Sequence, residues 1–230
     1  MSNKIGFIVT AHHSKEFRAD GGKFLERFCL SLYKYCKHNF RIYVIDNSST
    51  IPLNIPNDKN IMYTRIKDQT IEGITGAWNK GIYKAYEDGC DILINCNDDL
   101  WFNDTINMFI DFIISHYNEN TIYGVLSDGI LSGSQKSSGP LDGIQIKTCN
   151  NDSTCLNGFC FAMTKDHYEK YRFEPHRYFN PKNKHNGGDG KWGGQEGQFI
   201  ENSEKGLTAL IVNSCWLPHT KVRGWLQHKQ

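Results

Sequence analysis

The chain has 230 residues, with 26 Lys and Arg against 25 Asp and Glu, and a formal net charge of +1. Its length suits one α/β domain with a sizeable core and would cramp a second full domain. The charge balance gives no reason to expect nucleic acid or an anionic membrane surface as the main partner.

Ile5 to Thr10 form a continuous apolar run, the pattern of a strand buried on both faces. Phe24, Leu25, Phe28, Leu32 and Tyr35 follow a helical period. Arg41 to Asp46 read as a second strand, stopped by the turn formers Asn47, Ser48 and Ser49. Ile61 to Ile66 read as a short third strand. Thr75 is expected to cap a helix bearing Trp78, Ile82, Ala85 and Tyr86, ended by Gly89. Asp91 to Asn95 read as a fourth strand. Asn103 or Asp104 caps the clearest helix, in which Ile106, Phe109, Ile110, Ile113, Ile114 and Tyr117 hold helical spacing. Tyr123 to Leu126 read as a fifth strand.

The second half is less regular. Residues 127–155 read as a long loop, Phe159 to Met163 as a buried strand, 180–198 as a Gly-rich excursion, and Leu207 to Val212 as a late strand. No stretch reads as transmembrane or as a cleaved leader, so a soluble, cytoplasmic chain, free or peripheral at a membrane, is expected. Cys29, Cys36, Cys90 and Cys96 fall in apolar patterns and read as small buried hydrophobes. Cys149 and Cys155 could bond, but the reduced state is the expectation for a cytosolic chain. No paired C-x-x-C knuckle and no H-E-x-x-H occurs, which argues against zinc, His12 and His13 included.

Strands alternating with helices over residues 5–126 imply a mostly parallel sheet, helix-covered on both faces. Ligands of such sheets bind beyond the carboxyl ends of the strands. The residues of interest are therefore Thr10 to His13, Asp46 to Ser49 and Asn97 to Asp99. Adjacent carboxylates at Asp98 and Asp99 repel unless a cation or water compensates them. Oxygen ligands suit magnesium or manganese bridged to substrate phosphates. The bland alternative is an acidic start to the next helix.

Four segments in order resemble the GT-A glycosyltransferases, particularly family 2. These are Phe7 to Thr10; Val44 to Ser49; Gly76 to Gly81 followed by Ile94 to Asp99; and Asn157 to Met163 followed by Gly194-Gln195-Glu196 and His219. The resemblance implies one GT-A (Rossmann-like) domain over residues 1–230. Its nucleotide-sugar half would be 1–126 and its acceptor half, rich in loops, 127–230. It also implies transfer of a sugar from a nucleoside-diphosphate sugar, UDP-linked by preference, to a glycan or other hydroxyl acceptor. Thr10, Ala11, Asp46 and Asn79 would serve the nucleotide, with Asn97 and Asp98 binding it at the acidic strand end. Asp99, with Asp98 assisting, would hold Mn2+ or Mg2+ bridged to the diphosphate, and His219 would be a further ligand. Asn97 replaces the first Asp of the family's D-x-D pattern, and Trp78 stands where many relatives carry Arg.

Glu196 is the candidate general base for an inverting transfer, with Asp189 the alternative. Turn capping is the bland reading of Asp46, a solvent-facing loop that of His219, and dipole compensation that of Glu196. Lys221 or Arg223 could touch the diphosphate, and Trp192 could stack on a sugar. Two rivals stay open: a GT-A-like glycan-binding module without turnover, and a sugar-phosphate nucleotidyltransferase. The second lacks its usual Gly-rich, basic loop here, since Ala11-His12-His13-Ser14 follows the first strand.

Overall fold

The computed structural model describes residues 3–15, 22–67, 69–128, 134–148, 156–171 and 206–219. Among the described residues, eight strands form one sheet. They are β1 (Lys4–Ala11), β2 (Asn39–Asn47), β3 (Ile61–Ile66), β4 (Ile92–Asn97), β5 (Thr121–Leu126), β6 (Ile144–Thr148), β7 (Cys160–Thr164) and β8 (Thr208–Trp216). The helices among the described residues are α1 (Gly22–Tyr35), α2 (Gln69–Glu87), α3 (Thr105–Ser115) and α4 (Lys165–Lys170). The spatial order is β3-β2-β1-β4-β7-β5-β8-β6.

The sheet is more mixed than expected. β7 runs antiparallel to both β4 and β5, and β6 antiparallel to β8. The remaining pairings are parallel. β6 also corrects the reading of 127–155 as loop. It is an edge strand of five residues with Ile144 and Ile146 exposed, so no buried run marked it in the sequence.

Strand alternation explains the two-sided core. Ile5, Phe7 and Val9 face one side and pack with Leu25, Phe28 and Leu32 of α1 and Ile106, Phe109, Ile110 and Ile113 of α3. Ile8 faces the other side with Ala77, Trp78, Ile82 and Ala85 of α2. An isolated helix as short as α3 is marginal in water, so packing must hold it. Burying its four apolar side chains is worth roughly 6–12 kcal/mol as an upper bound.

Two helix ends test the capping expectations. Gly89, at φ 74°, ends α2, and the Cys90 N–H donates back to the Ala85 carbonyl, satisfying an end carbonyl of the helix. At α3 the work falls to Asn103, whose Oδ1 accepts from the Thr105 N–H at 3.0 Å, while Asp104 makes no side-chain cap. Thr75 does not start α2, which begins six residues earlier. Ile74, Ala77 and Trp78 face the core, and packing overrides the weak helix propensity of Gly73 and Gly76. Gly81 lets α2 approach the sheet: a Cβ there would stand 2.4 Å from Ile8 Cγ2 and 2.9 Å from Ile45 Cγ1.

Cys29, Cys90 and Cys96 are buried as expected, whereas Cys36 is half-buried. Burial pushes the Cys29 thiol up to about 12 and Cys36 to about 11, which keeps both inert as nucleophiles. Cys149 and Cys155 lie outside the described residues. No helix among the described residues is long and apolar enough to cross a membrane.

His167 of α4 is a buried base. Burial lowers it from 6.5 to about 4, opposed by a hydrogen bond with the backbone of Glu119 and assisted by Lys170. The unfolded chain therefore binds the extra proton first as pH falls. Stability is full above about pH 6.5 and is lost progressively down to about pH 4, by roughly 3 kcal/mol for this residue. Urea melts of wild type and His167→Phe between pH 7 and pH 4 should show the wild type losing that much more than the variant. Equal slopes would remove His167 as the cause.

Candidate active site

The chain builds β1, then β2 and β3 outward on one side, then crosses to place β4 on the other side of β1. This reversal opens a crevice at the carboxyl ends of β1 and β4. The registers place the sequence-predicted residues at that crevice. Ala11 pairs with Asp46, and Thr10 pairs with Asn97. Thr10, Ala11, Asp46, Asn97, Asp98 and Asp99 thus come together, while Asn79 is largely buried on α2. Trp78, by contrast, is a core residue, edge-to-face with Phe161 at 5.2 Å, so its side chain packs α2 onto β7.

Asp46 is 1% exposed and well supplied with donors. Oδ1 accepts from the Ser49 N–H at 2.8 Å, the turn chemistry expected of an Asp before Asn-Ser-Ser. Oδ2 accepts from the Tyr63 hydroxyl at 2.6 Å and faces the Arg65 guanidinium at 3.3 Å. Ser48 adopts φ 62°, and this left-handed step turns Ser49 back toward Asp46. Tyr63 and Arg65 were not found by sequence reasoning. They lie on β3, where alternation in so short a strand says nothing about a partner on β2.

Asp98 and Asp99 are 3% and 5% exposed. Each carboxylate has its own imidazole. His13 Nε2 donates to Asp98 Oδ2, and His219 Nε2 donates to Asp99 Oδ1 at 2.9 Å. The pairing of His219 with Asp99 spans 120 residues and ends the reading of His219 as a solvent-facing histidine. Its ring stacks on Phe159 at 5.6 Å, and its backbone forms a bridge with Leu100. Its N–H reaches Asp128 Oδ1 at 3.3 Å. Phe159 in turn accepts from the Asn97 N–H at 2.8 Å. His13 belongs to the strand end, Thr10 to His13, that the sequence singled out, but the only role weighed for it there was as a zinc ligand, and its pairing with Asp98 was not foreseen.

The buried hydroxyl of Thr10 and the Asn47 side-chain oxygen have no hydrogen-bond partner among the described residues. Buried polar atoms of this kind ordinarily meet water or a ligand. Glu196, Asp189, Trp192, Lys221 and Arg223 lie outside the described residues. A separate groove of about 330 Å3 runs between α1 and residues 101–103, with Lys23, Arg27, Lys34 and Trp101 on its walls. It is lined by none of the crevice residues named above.

Solved structures of similar shape include the S. aureus TarS fragment 1–349, with a TM-score of 0.66 at 13% identity. The alignment covers 97% of this chain and 62% of that one. The same fragment in complex with UDP-GlcNAc gives 0.61 at 12% identity, covering 97% and 60%. A longer S. aureus TarS structure gives 0.63 at 13% identity, covering 98% and 38%. The chain therefore spans less than two thirds of these proteins, and the likeness is one of fold, in line with the expected GT-A architecture. No curated protein sequence matches. The family model for glycosyl transferase family 2 matches residues 7–172, from the middle of β1 to just beyond α4. The chain belongs to glycosyl transferase family 2.

Proposed function

We propose that this protein transfers a sugar from a nucleoside-diphosphate sugar, UDP-linked, to a hydroxyl of a glycan or other acceptor, with a divalent cation held by Asp99 and His219. The observation that carries this reading is the convergence of the β1, β2 and β4 ends on one crevice, with a carboxylate and an imidazole poised together at its edge. The UDP-GlcNAc complex of TarS supports uridine as the base.

The donor set fits a cation. Asp99 Oδ1 and His219 Nε2 stand 2.9 Å apart. Both atoms would be close enough to hold one ion, with the Nε2 proton released as it bound. One oxygen and one imidazole nitrogen suit manganese better than magnesium, which prefers oxygen throughout. Among the described residues no third His, Cys, Asp or Glu joins them. An ion held there would compensate the charge of the donor's diphosphate. When bound, such an ion stabilises the charge that builds on the departing nucleoside diphosphate.

The chain's own residues do the rest. Thr10 and Ala11 border the nucleoside, and the Thr10 hydroxyl is a donor awaiting an acceptor. Asp46 takes a uracil N–H or a ribose hydroxyl on Oδ2 once the exposed Tyr63 swings aside. Asn79, Asn97 and Asp98 line the approach of the diphosphate. Glu196, or else Asp189, removes the acceptor proton as the hydroxyl attacks the anomeric carbon opposite the leaving group, which inverts the configuration there.

Thermal melting tests the reading. UDP at about a hundred times its Kd, with manganese, should raise the melting point by roughly 5–10 °C through mass action. The same shift without manganese would remove the cation from the reading. No shift with any nucleoside diphosphate would remove the donor site.

A further inference from the structure

We propose that His13 is a positioning residue that locks Asp98 and joins the nucleoside side of the crevice to its cation side. It rests on the function proposed above and adds a residue to it. His13 is fully buried, yet it touches three strand ends. Its Nε2–H is given to Asp98 at the end of β4. Its backbone N–H donates to Ser49 Oγ at 3.0 Å, and its carbonyl accepts from the Thr50 N–H at 2.8 Å, both just past β2. Ser49 itself donates to Asp46. An unbroken line of hydrogen bonds therefore runs Asp46–Ser49–His13–Asp98, from the proposed nucleoside acid to the acidic pair.

The chemistry assigns different tasks to the two neighbouring carboxylates. Two buried carboxylates side by side are costly unless each is compensated. Asp99 is paired with His219 near the crevice edge, where the histidine ring retains some exposure. Asp98 is paired with an imidazole sealed from solvent, whose Nδ1 has no partner among the described residues. Among the described residues Asp98 is the one acceptor that this imidazole reaches, so this pair is the fixed one. Asp98 is thus held away from the cation by one oxygen, and Asp99 is left as the ligand. Without the imidazole, Asp98 can turn toward Asp99, and the 46–51 segment loses its anchor on β4. Through Asp98 and the 46–51 segment His13 would fix the surroundings of Asp99, and outer groups around a cation's ligands commonly matter about 10- to 100-fold in its affinity.

The test is calorimetric titration of UDP, with and without manganese, into wild type, His13→Ala, His13→Gln and His13→Asn, each checked for folding by its melting curve. The Gln amide nitrogen reaches the place of Nε2; the Asn amide nitrogen stops at the place of Nδ1. His13→Ala and His13→Asn should lose roughly tenfold or more of the manganese-dependent gain in UDP affinity, with metal-free binding changed much less. His13→Gln should restore most of it. Equal rescue by Gln and Asn would reduce His13 to a space-filler and overturn the proposal. So would equal losses with and without manganese, the mark of a merely structural part. If His13→Ala does not fold, the Gln and Asn pair decides. A wild type whose UDP binding ignores manganese would instead bring down the cation reading and this proposal with it. A manganese-dependent wild type alongside an equally dependent His13→Ala overturns this proposal alone.

Discussion

Asp99→Ala is expected to cut manganese-dependent sugar transfer by roughly 100- to 1,000-fold, the equivalent of about 3–4 kcal/mol of transition-state stabilisation. The reasoning starts from the pair itself. Asp99 supplies the anionic half of a two-residue donor set, and His219 alone cannot balance a dication. The alanine leaves the imidazole of His219, still stacked on Phe159, without its carboxylate. Nucleotide affinity in the presence of manganese should fall, while metal-free affinity should hold. The fold should survive, since Asp99 lies beyond β4 and the substitution also relieves repulsion with Asp98. Initial rates across a manganese titration, together with UDP calorimetry, check both statements. Undiminished turnover at every manganese concentration would show that the cation, if used, is held elsewhere.

Glu196→Gln should lower transfer by roughly 100- to 10,000-fold, the usual worth of a positioned general base, while leaving UDP-sugar binding intact. Glutamine keeps the shape and hydrogen-bonding reach of glutamate but cannot take the acceptor's proton. The expected signature is a fall in kcat with donor KM little changed. Slow hydrolysis of the donor should persist, because water attack depends less on that base. If the variant transfers at the wild-type rate, Asp189 becomes the base, and Asp189→Asn should then show the same signature.

These two residues differ in how the sequence and the fold speak of them. Asp99 follows a buried apolar run, and buried runs are strong strand signals, so its place at a strand mouth was readable. Its partner was not. His219 reaches Asp99 only because β8 passes beyond β5 and the chain turns back across the sheet end to bridge Leu100. The antiparallel insertion of β7 between β4 and β5 was equally hidden, since Cys160 to Thr164 is apolar in either direction. Local pattern placed Trp78 on one side of a helix with Ile82 and Ala85, and only the fold shows that this side packs on Phe161 of β7.

The amino-acid sequence by itself determined the strand–helix alternation of the first half, the two-sided core and the three strand ends where chemistry belongs. Those follow from side-chain polarity at fixed periods, which is a local property. Only the tertiary structure decided which imidazole meets which carboxylate, that Asp46 answers to Tyr63 and Arg65, and that His13 ties three strands together. Such pairings join residues tens to more than a hundred positions apart. No period along the chain records them, because they arise from strand order and register, which the packing of the whole sheet selects.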